Sequence, residues 1–413
     1  MIMSPAVQDS DIIKKNADDV SSSTGLYIHW PYCLSKCPYC DFNSHVLTEI
    51  SEEKWIEAYH KALDQYSDQL KEKPIKSVFF GGGTPSLMPL TVLDSILDYL
   101  YKICGYLPDE ITLEANPTSF EIDKFKSMAD LGINRLSIGV QSLNDDSLKF
   151  LGREHDSAAA IRAFEVSRNI FSAISFDLIY ALPGQSVLNW ERELLKALSY
   201  APDHLSLYQL TIEPGTRFFQ DHKRGVFEMP SEEHAADLYE VTQKITMARG
   251  LRSYEVSNYA KPGFECQHNL IYWKGSQYIG IGPGAHGRLA INDGSSEKWY
   301  ATQQKRAPHK WLDAILTQTG EHEAREFLTQ RERAVEVFMT ALRVEEGIAL
   351  TELDTRFTDD WRSVISLECL DILKKEGYVR DFSDRICLTP EGRLVLDSVI
   401  DFVVNTNPLP ISA

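Results

Sequence analysis

Residues 25–45 read GLYIHWPYCLSKCPYCDFNSH, and Cys33, Cys37 and Cys40 stand there in the spacing C-x3-C-x2-C. Thiolates this close in sequence can turn inward on one short loop and hold three corners of a compact iron–sulfur cube. A closed cluster of that kind takes four cysteines, and a structural zinc site takes four ligands. The local count stops at three, so a cube would keep one iron without a protein ligand, open to a small molecule. A zinc site is the competing reading, with Cys104 or Cys266 as the fourth ligand.

More residues able to do chemistry sit where apolar runs end. GGGTP (81–85) follows one such run; its glycines let the backbone come close to a ligand, and its amides and the Thr84 hydroxyl can grip a polar group. Glu114 and Gln141 end two further runs, Asp177 sits within another, and Arg153 follows in LGREH. A lone acid at such a place is commonly a helix cap or an ion-pair partner. Several polar residues on one rim can instead bind hydroxyls and a carboxylate, and Arg153 suits the carboxylate.

The elements that must position these residues follow a rhythm. The apolar runs are 26–30, 77–83, 111–117, 135–141, 173–183 and 204–215. Helical patterns separate them over 51–73, 90–103, 119–131, about 142–170 and 188–199, with a last one over 231–249; Trp55, Tyr59, Ala62, Tyr66 and Leu70 mark one face of the first. Six β-then-α units imply a parallel sheet with helical crossovers. The count is short of eight, so the expected fold is α/β, an open or partial (β/α)6 barrel over 25–250 with its active face on the C-terminal rim. Residues 251–325 are rich in glycine, aromatics and histidine and read as extra strands and loops beside that rim. Residues 326–405 read as a winged-helix-like α+β domain, with helices over 332–343 and 363–377 and a two-stranded wing over 378–393.

Composition bounds the partners. The chain has 413 residues, 43% hydrophobic and 25% charged, with a net charge of -18. That balance argues against a general nucleic-acid or anionic-membrane binder. Residues 329–404 carry ten Lys and Arg against sixteen Asp and Glu, the wrong sign for a winged helix that reads DNA. Seven cysteines, three of them clustered, do not look like a secreted disulfide framework. Residues 1–24 hold four aspartates and no apolar stretch, so they read as a disordered lead-in rather than a signal peptide. No apolar run approaches the ~20 residues of a membrane span. The expected compartment is the cytoplasm, where a reduced cluster survives.

The cysteine loop, FFGGGTPSLM, ITLEANP, RLSIGVQS, LGREH, FDLIYALPGQ, YQLTIEPGT and CQHNLIYWKGSQYIGIGPGAHG together resemble the coproporphyrinogen III oxidase group of the radical S-adenosylmethionine (SAM) superfamily, from about Gly25 to the C-terminus. The resemblance implies a 4Fe-4S cluster on Cys33, Cys37 and Cys40 whose open iron is chelated by the amino and carboxylate groups of SAM. It places Gly82, Gly83 and Thr84 at the SAM amino group, Tyr39 on the adenine, and Tyr27, Glu114, Gln141, Arg153 and Asp177 around the rest of the cofactor.

That group has two branches. One is the oxygen-independent oxidase, a decarboxylase in porphyrin biosynthesis; the other is a heme chaperone. Three features favour the chaperone. The oxidase has a further cysteine two positions after the third, where this chain has Phe42; it has a longer N-terminal arm; and the chaperone carries H-N-x-x-Y-W, present here from His268 to Trp273. The chaperone reading implies His268 as axial heme ligand with Tyr272 and Trp273 covering the macrocycle. Cys266, His286 and His45 are weaker ligand candidates, and Lys261, Lys274 and Arg288 could pair with heme propionates. It also implies heme-acceptor proteins such as respiratory cytochrome-containing enzymes, a low-potential electron donor, and peripheral contact with the membrane during transfer. The alternative is the oxidase itself or another radical catalyst, in which cleavage of SAM yields a 5′-deoxyadenosyl radical that takes hydrogen from substrate.

Overall fold

Along the strands large apolar side chains alternate with polar or smaller ones, and this period of two decides what faces the helices and what faces inward. The computed structural model describes residues 23–46, 49–292, 294, 297–318, 322–357, 361–380 and 384–404. The expected tail therefore lies outside the described residues up to residue 22. Strands β1 (Thr24–Trp30), β2 (Ile75–Gly82), β3 (Glu110–Ala115), β4 (Arg135–Gln141), β5 (Ala173–Tyr180) and β6 (His204–Gln209) pair in that order, all parallel. Leu26, Ile28 and Trp30 of β1, Val78 and Phe80 of β2 and Phe176 and Leu178 of β5 are fully buried against the crossover helices. Tyr27, Ser77, Glu114, Ser137 and Asp177 alternate with them and turn into the barrel. Outside the sheet, helix α1 (Glu52–Asp64) is held by Trp55, which stacks on Trp311 at 5.8 Å between ring centroids.

Two expected helices are interrupted. The one expected over 51–73 ends at Asp64 and resumes at Ser67, because Tyr66 leaves the helical path; its hydroxyl takes a 3.2 Å hydrogen bond from the Gln304 amide. The one expected over 119–131 breaks between Ile122 and Phe125. There the buried Glu121 carboxylate turns back to accept from the Asn116 amide at 2.8 Å and the Thr118 hydroxyl at 3.1 Å.

Beyond residue 250 the chain extends both edges of the sheet. Strands β7 (Arg252–Ser253) and β8 (Asn258–Ala260) run antiparallel on the β6 edge. On the opposite edge β9 (Gln277–Ile281) joins β1 in parallel, followed by antiparallel β10 (His286–Asn292), β11 (Glu297–Gln304) and β12 (Glu323–Leu328). The connection between the two edges is helix α2 (Gln267–Trp273). It was expected beside the rim; it lies instead under the barrel, at the N-terminal ends of the strands. Glu110, the first residue of β3, holds it there by accepting from the Gln267 and His268 amides, each at 3.0 Å.

The last part of the chain has its own core of Phe338, Leu342, Trp361, Ile386 and Val403. Helix α3 (Gln330–Ala341) opens it with a capping box from Thr329 and Glu332. Ile348–Ala349 pairs with Arg385–Ile386, and Val379 bridges Leu388, giving the winged-helix-like α+β arrangement. The expected wing stops short of residue 393, since Pro390–Leu394 is helical behind the Thr389 cap. Among the described residues no helix is long and apolar enough to cross a membrane.

Candidate functional site

The C-terminal ends of the parallel strands surround a cavity of about 1260 Å³. Cys33, Cys37 and Cys40 form one wall on the loop after β1, and Gly82, Gly83, Thr84, Glu114, Gln141, Arg153, Asp177 and Tyr39 line the rest. Eleven residues scattered along the sequence therefore converge. Cys104 and Cys266, the fourth-ligand candidates for zinc, do not line this cavity. Cys104 points at the Leu70 carbonyl at 3.7 Å and Cys266 at Glu110 at 3.6 Å. Among the described residues no three His, Cys, Asp or Glu side chains converge closely enough for a single metal ion.

The glycine turn works differently from the expectation that its amides grip a ligand. The Gly82 amide donates to Glu114 at 3.1 Å, the Gly83 amide to the Trp30 carbonyl at 2.7 Å and the Thr84 amide to the Tyr32 carbonyl at 2.8 Å. All three donors are engaged, so the turn can offer a ligand carbonyl oxygens, which suit an ammonium. Gly82 has φ +116, open only to glycine without strain, and a Cβ on Gly83 would collide with the Tyr32 backbone at 2.5 Å. Gln141 takes φ +65 at the end of β4, an unusual conformation for its residue type that lays its side chain over Gly139.

Arg153 has a first duty within the protein. It donates to the Cys37 sulfur at 3.3 Å, to the Gly139 carbonyl at 2.9 Å and to the Asn116 side chain. Its Nε is buried and unpartnered, so it does not present a free two-pronged fork to a carboxylate. Asn116, which also donates to the Thr84 hydroxyl at 3.0 Å, went unnoticed in the sequence; its one signal was an Asn-Pro pair closing a strand.

Two carboxyls lie deeper in the barrel. Burial and the neighbouring Asp177 push Glu114 up to about 8, against the opposing pull of the Gly82 amide. Burial pushes Asp177 up to about 6, although the hydroxyls of Ser137 at 2.7 Å and Ser175 at 3.0 Å donate to it. Glu114 is thus held toward its neutral form.

A second cavity, of about 530 Å³, lies against the inner face of β1 and reaches α3. Tyr272, Trp273, Tyr278, His286, Arg288 and Arg306 line it, and Phe42, Gly82 and Glu114 face both cavities. Tyr27 belongs to this cavity and not to the cysteine cavity where it was expected; its hydroxyl meets His29 Nδ1 at 3.0 Å. Asn43 ties the cysteine loop to this side, donating to the Pro283 carbonyl at 2.9 Å and the Arg306 carbonyl at 2.8 Å.

His268 lies behind the second cavity, not on it. It is 1% exposed, with Nδ1 on Ser77 and Nε2 on Tyr272, each at 2.7 Å. Burial lowers its imidazole to about 3. Cys266 is buried with its thiol pushed up to about 12 by desolvation, and His45 lines neither cavity. Lys261 pairs with Asp203 at 2.8 Å and Lys274 with Glu346 at 3.0 Å, both off the cavity, whereas Arg288 lines it and pairs with Glu336 at 2.6 Å.

The chain is similar to known proteins along most of its length. Residues 27–197 match the Radical SAM superfamily and residues 328–395 the HemN C-terminal domain. It is 36% identical to the heme chaperone HemW of Escherichia coli over 91% of this chain and 97% of that protein. It is 37% identical to the mitochondrial radical S-adenosyl methionine domain-containing protein 1 of Danio rerio, over 82% of this chain and 76% of that one. Among solved structures it shares a fold with the coproporphyrinogen III oxidase HemN of Escherichia coli, with TM-score 0.76 at 20% identity, covering 96% of this chain and 93% of that one.

Proposed function

Because the chain belongs to the coproporphyrinogen III oxidase-like radical-SAM family, in its heme chaperone HemW branch, we propose that it binds heme and transfers it to acceptor proteins, using a SAM-chelated 4Fe-4S cluster. The observation that carries this reading is the likeness to the bacterial heme chaperones over nearly the whole length of both chains. Phe42, in the place of a fourth loop cysteine, agrees with it.

Membership in the radical-SAM family implies a 4Fe-4S cluster and SAM, and the residues present fit both. Three thiols share one cavity wall, the Gly83 position has no room for a Cβ, and a buried Arg153 nitrogen lacks a partner beside Cys37. Cys33, Cys37 and Cys40 would hold the cluster, and the carbonyls of Gly82 and Gly83 would receive the SAM ammonium. When bound, the group supplies single electrons at low potential. Arg153 fixes the Cys37 sulfur and, through Asn116 and Thr84, the glycine turn opposite, so that the two halves of the site keep their spacing. Glu114 holds its proton at neutral pH and adds no negative charge beside the turn.

The test is transfer. Anaerobically reconstituted protein, loaded with hemin and freed of excess, should restore the Soret band and activity of an apo b-type cytochrome enzyme supplied in solution. It should not convert coproporphyrinogen III to protoporphyrinogen IX above background when reductant and SAM are present. Decarboxylation without heme transfer would move the chain to the oxidase branch.

A further inference from the structure

We propose that heme cargo docks in the second cavity, with His286 as the axial ligand to iron and Arg288 and Arg306 receiving its two carboxylates. This deepens the heme-binding reading and rests on it.

Three observations carry the assignment. The first is access. His268 is sealed under the barrel with both ring nitrogens in 2.7 Å hydrogen bonds, so ligating iron there would break two buried bonds. His286, the first residue of β10, is exposed on the cavity, and its Nε2 meets the Gln303 amide nitrogen at 3.3 Å.

The second is charge. The protein as a whole is at -18, yet this cavity is lined by Arg288, Arg306 and Arg333 against Glu336 and the proton-holding Glu114. Three guanidiniums face one charged carboxylate, an excess that matches the two propionates of a heme. The cysteine cavity is the reverse, with eight acidic lining residues besides Glu114 against four basic ones. Such a wall suits the sulfonium and ammonium of SAM and repels a dianion.

The third is shape. Trp273, Tyr272, Tyr278 and Phe42 give flat apolar walls, and Phe42 is 59% exposed at the boundary with the cysteine cavity. The Arg343 guanidinium lies on Trp273, 4.7 Å from its ring centroid, and fixes the indole. A single imidazole on an open edge also allows release, which a carrier requires.

The experiment is a hemin titration followed at the Soret band, on full-length anaerobically reconstituted protein. Wild type, His286→Ala, His268→Ala and Arg288→Gln/Arg306→Gln are compared, with far-UV circular dichroism and cluster absorbance confirming each fold. We expect one hemin per chain in wild type and a displaced Soret maximum with at least tenfold weaker binding in His286→Ala. Added imidazole should restore the maximum in that variant. The double arginine variant should keep the wild-type maximum but bind at least tenfold more weakly, and hemin dimethyl ester should bind wild type equally weakly. Folded His268→Ala should keep the wild-type maximum. A His286→Ala variant with wild-type maximum and affinity overturns the assignment while leaving heme binding intact. Wild type with no saturable hemin binding overturns the heme reading itself.

Discussion

Replacing Gly83 by alanine should cost the chain its hold on SAM without unfolding it. An added Cβ would stand 2.5 Å from the Tyr32 carbonyl oxygen, 2.7 Å from its carbon and 2.9 Å from its nitrogen. All three are backbone atoms, so no side-chain rotation makes room. Reaching ordinary contact near 3.4 Å requires the glycine turn and the cysteine loop to part by about 0.9 Å. Two short hydrogen bonds resist that, from the Gly83 amide to Trp30 at 2.7 Å and from the Thr84 amide to Tyr32 at 2.8 Å. Overpacking of this kind costs about 1–3 kcal/mol. Where binding SAM requires the turn to close back against that strain, about 2.7 kcal/mol of it is a hundredfold in affinity. The assay is anaerobic reconstitution, an iron count, and a SAM titration read from the reduced cluster's EPR signal. Iron content should stay near that of wild type while SAM affinity falls by about two decades. Gly83→Ala protein with full iron and SAM affinity within about threefold of wild type would refute the steric reasoning.

Cys33→Ala, Cys37→Ala or Cys40→Ala should abolish the reconstituted cluster and Cys104→Ala should not; equal iron loss from Cys104→Ala would return the zinc alternative. Glu110→Ala should destabilise the chain by about 3–5 kcal/mol, because it strips α2 of its cap and leaves the buried Arg135, 3.6 Å away, without its ion-pair partner; a urea-unfolding loss under about 1 kcal/mol contradicts that. Glu114 binds a proton in the folded state that the unfolded chain releases near its ordinary 4.5, so stability is fully present below 4.5 and is lost as pH rises toward 8. Glu114→Gln should remove a loss on the order of 3 kcal/mol between pH 5 and 8 in cofactor-free protein, and an unchanged pH slope of the unfolding midpoint excludes the shifted carboxyl. Asn43→Ala leaves the Pro283 and Arg306 carbonyls without their donor and should weaken cluster retention on dialysis while costing about 1–3 kcal/mol; retention equal to wild type argues against a tie between loop and turn.

The legible parts of this chain are those whose signal is local. Six strands could be read because each is a short apolar run, such as residues 26–30, set off by a helical pattern, as a strand covered on both faces requires. The cysteine wall could be read because its three thiols are spaced on one loop. The place of HNLIYW could not, since it is settled by Glu110, more than 150 positions earlier in the chain, accepting from the amides at its start. His268 has the chemistry of a ligand, and its isolation comes from Ser77 and Tyr272 taking both nitrogens, a fact of packing. The glycine turn shows the same limit. Three glycines announce close approach, but whether amides or carbonyls face the ligand depends on where Trp30 and Tyr32 put their oxygens. The broken helices follow suit, for Glu121 also accepts from the Ser86 hydroxyl and Tyr66 from Gln304, both in other elements.

The two cavities meet at Phe42, Gly82 and Glu114, and Glu114 connects them chemically. Its carboxyl accepts from the Gly82 amide, so the state of the glycine turn bears on whether it keeps its proton. Gly82 lowers the carboxyl's proton affinity while burial and Asp177 raise it. A ligand that drew the Gly82 amide closer would favour the carboxylate, and one that drew it away would favour the acid. On the side of the second cavity, an ionised Glu114 would bring the charged carboxylates from one to two against three arginines and halve the excess of positive charge. Occupation of the cysteine cavity would in that case change the charge offered to an anion in the second cavity through a single proton, by residues that line both and with no large movement of the fold.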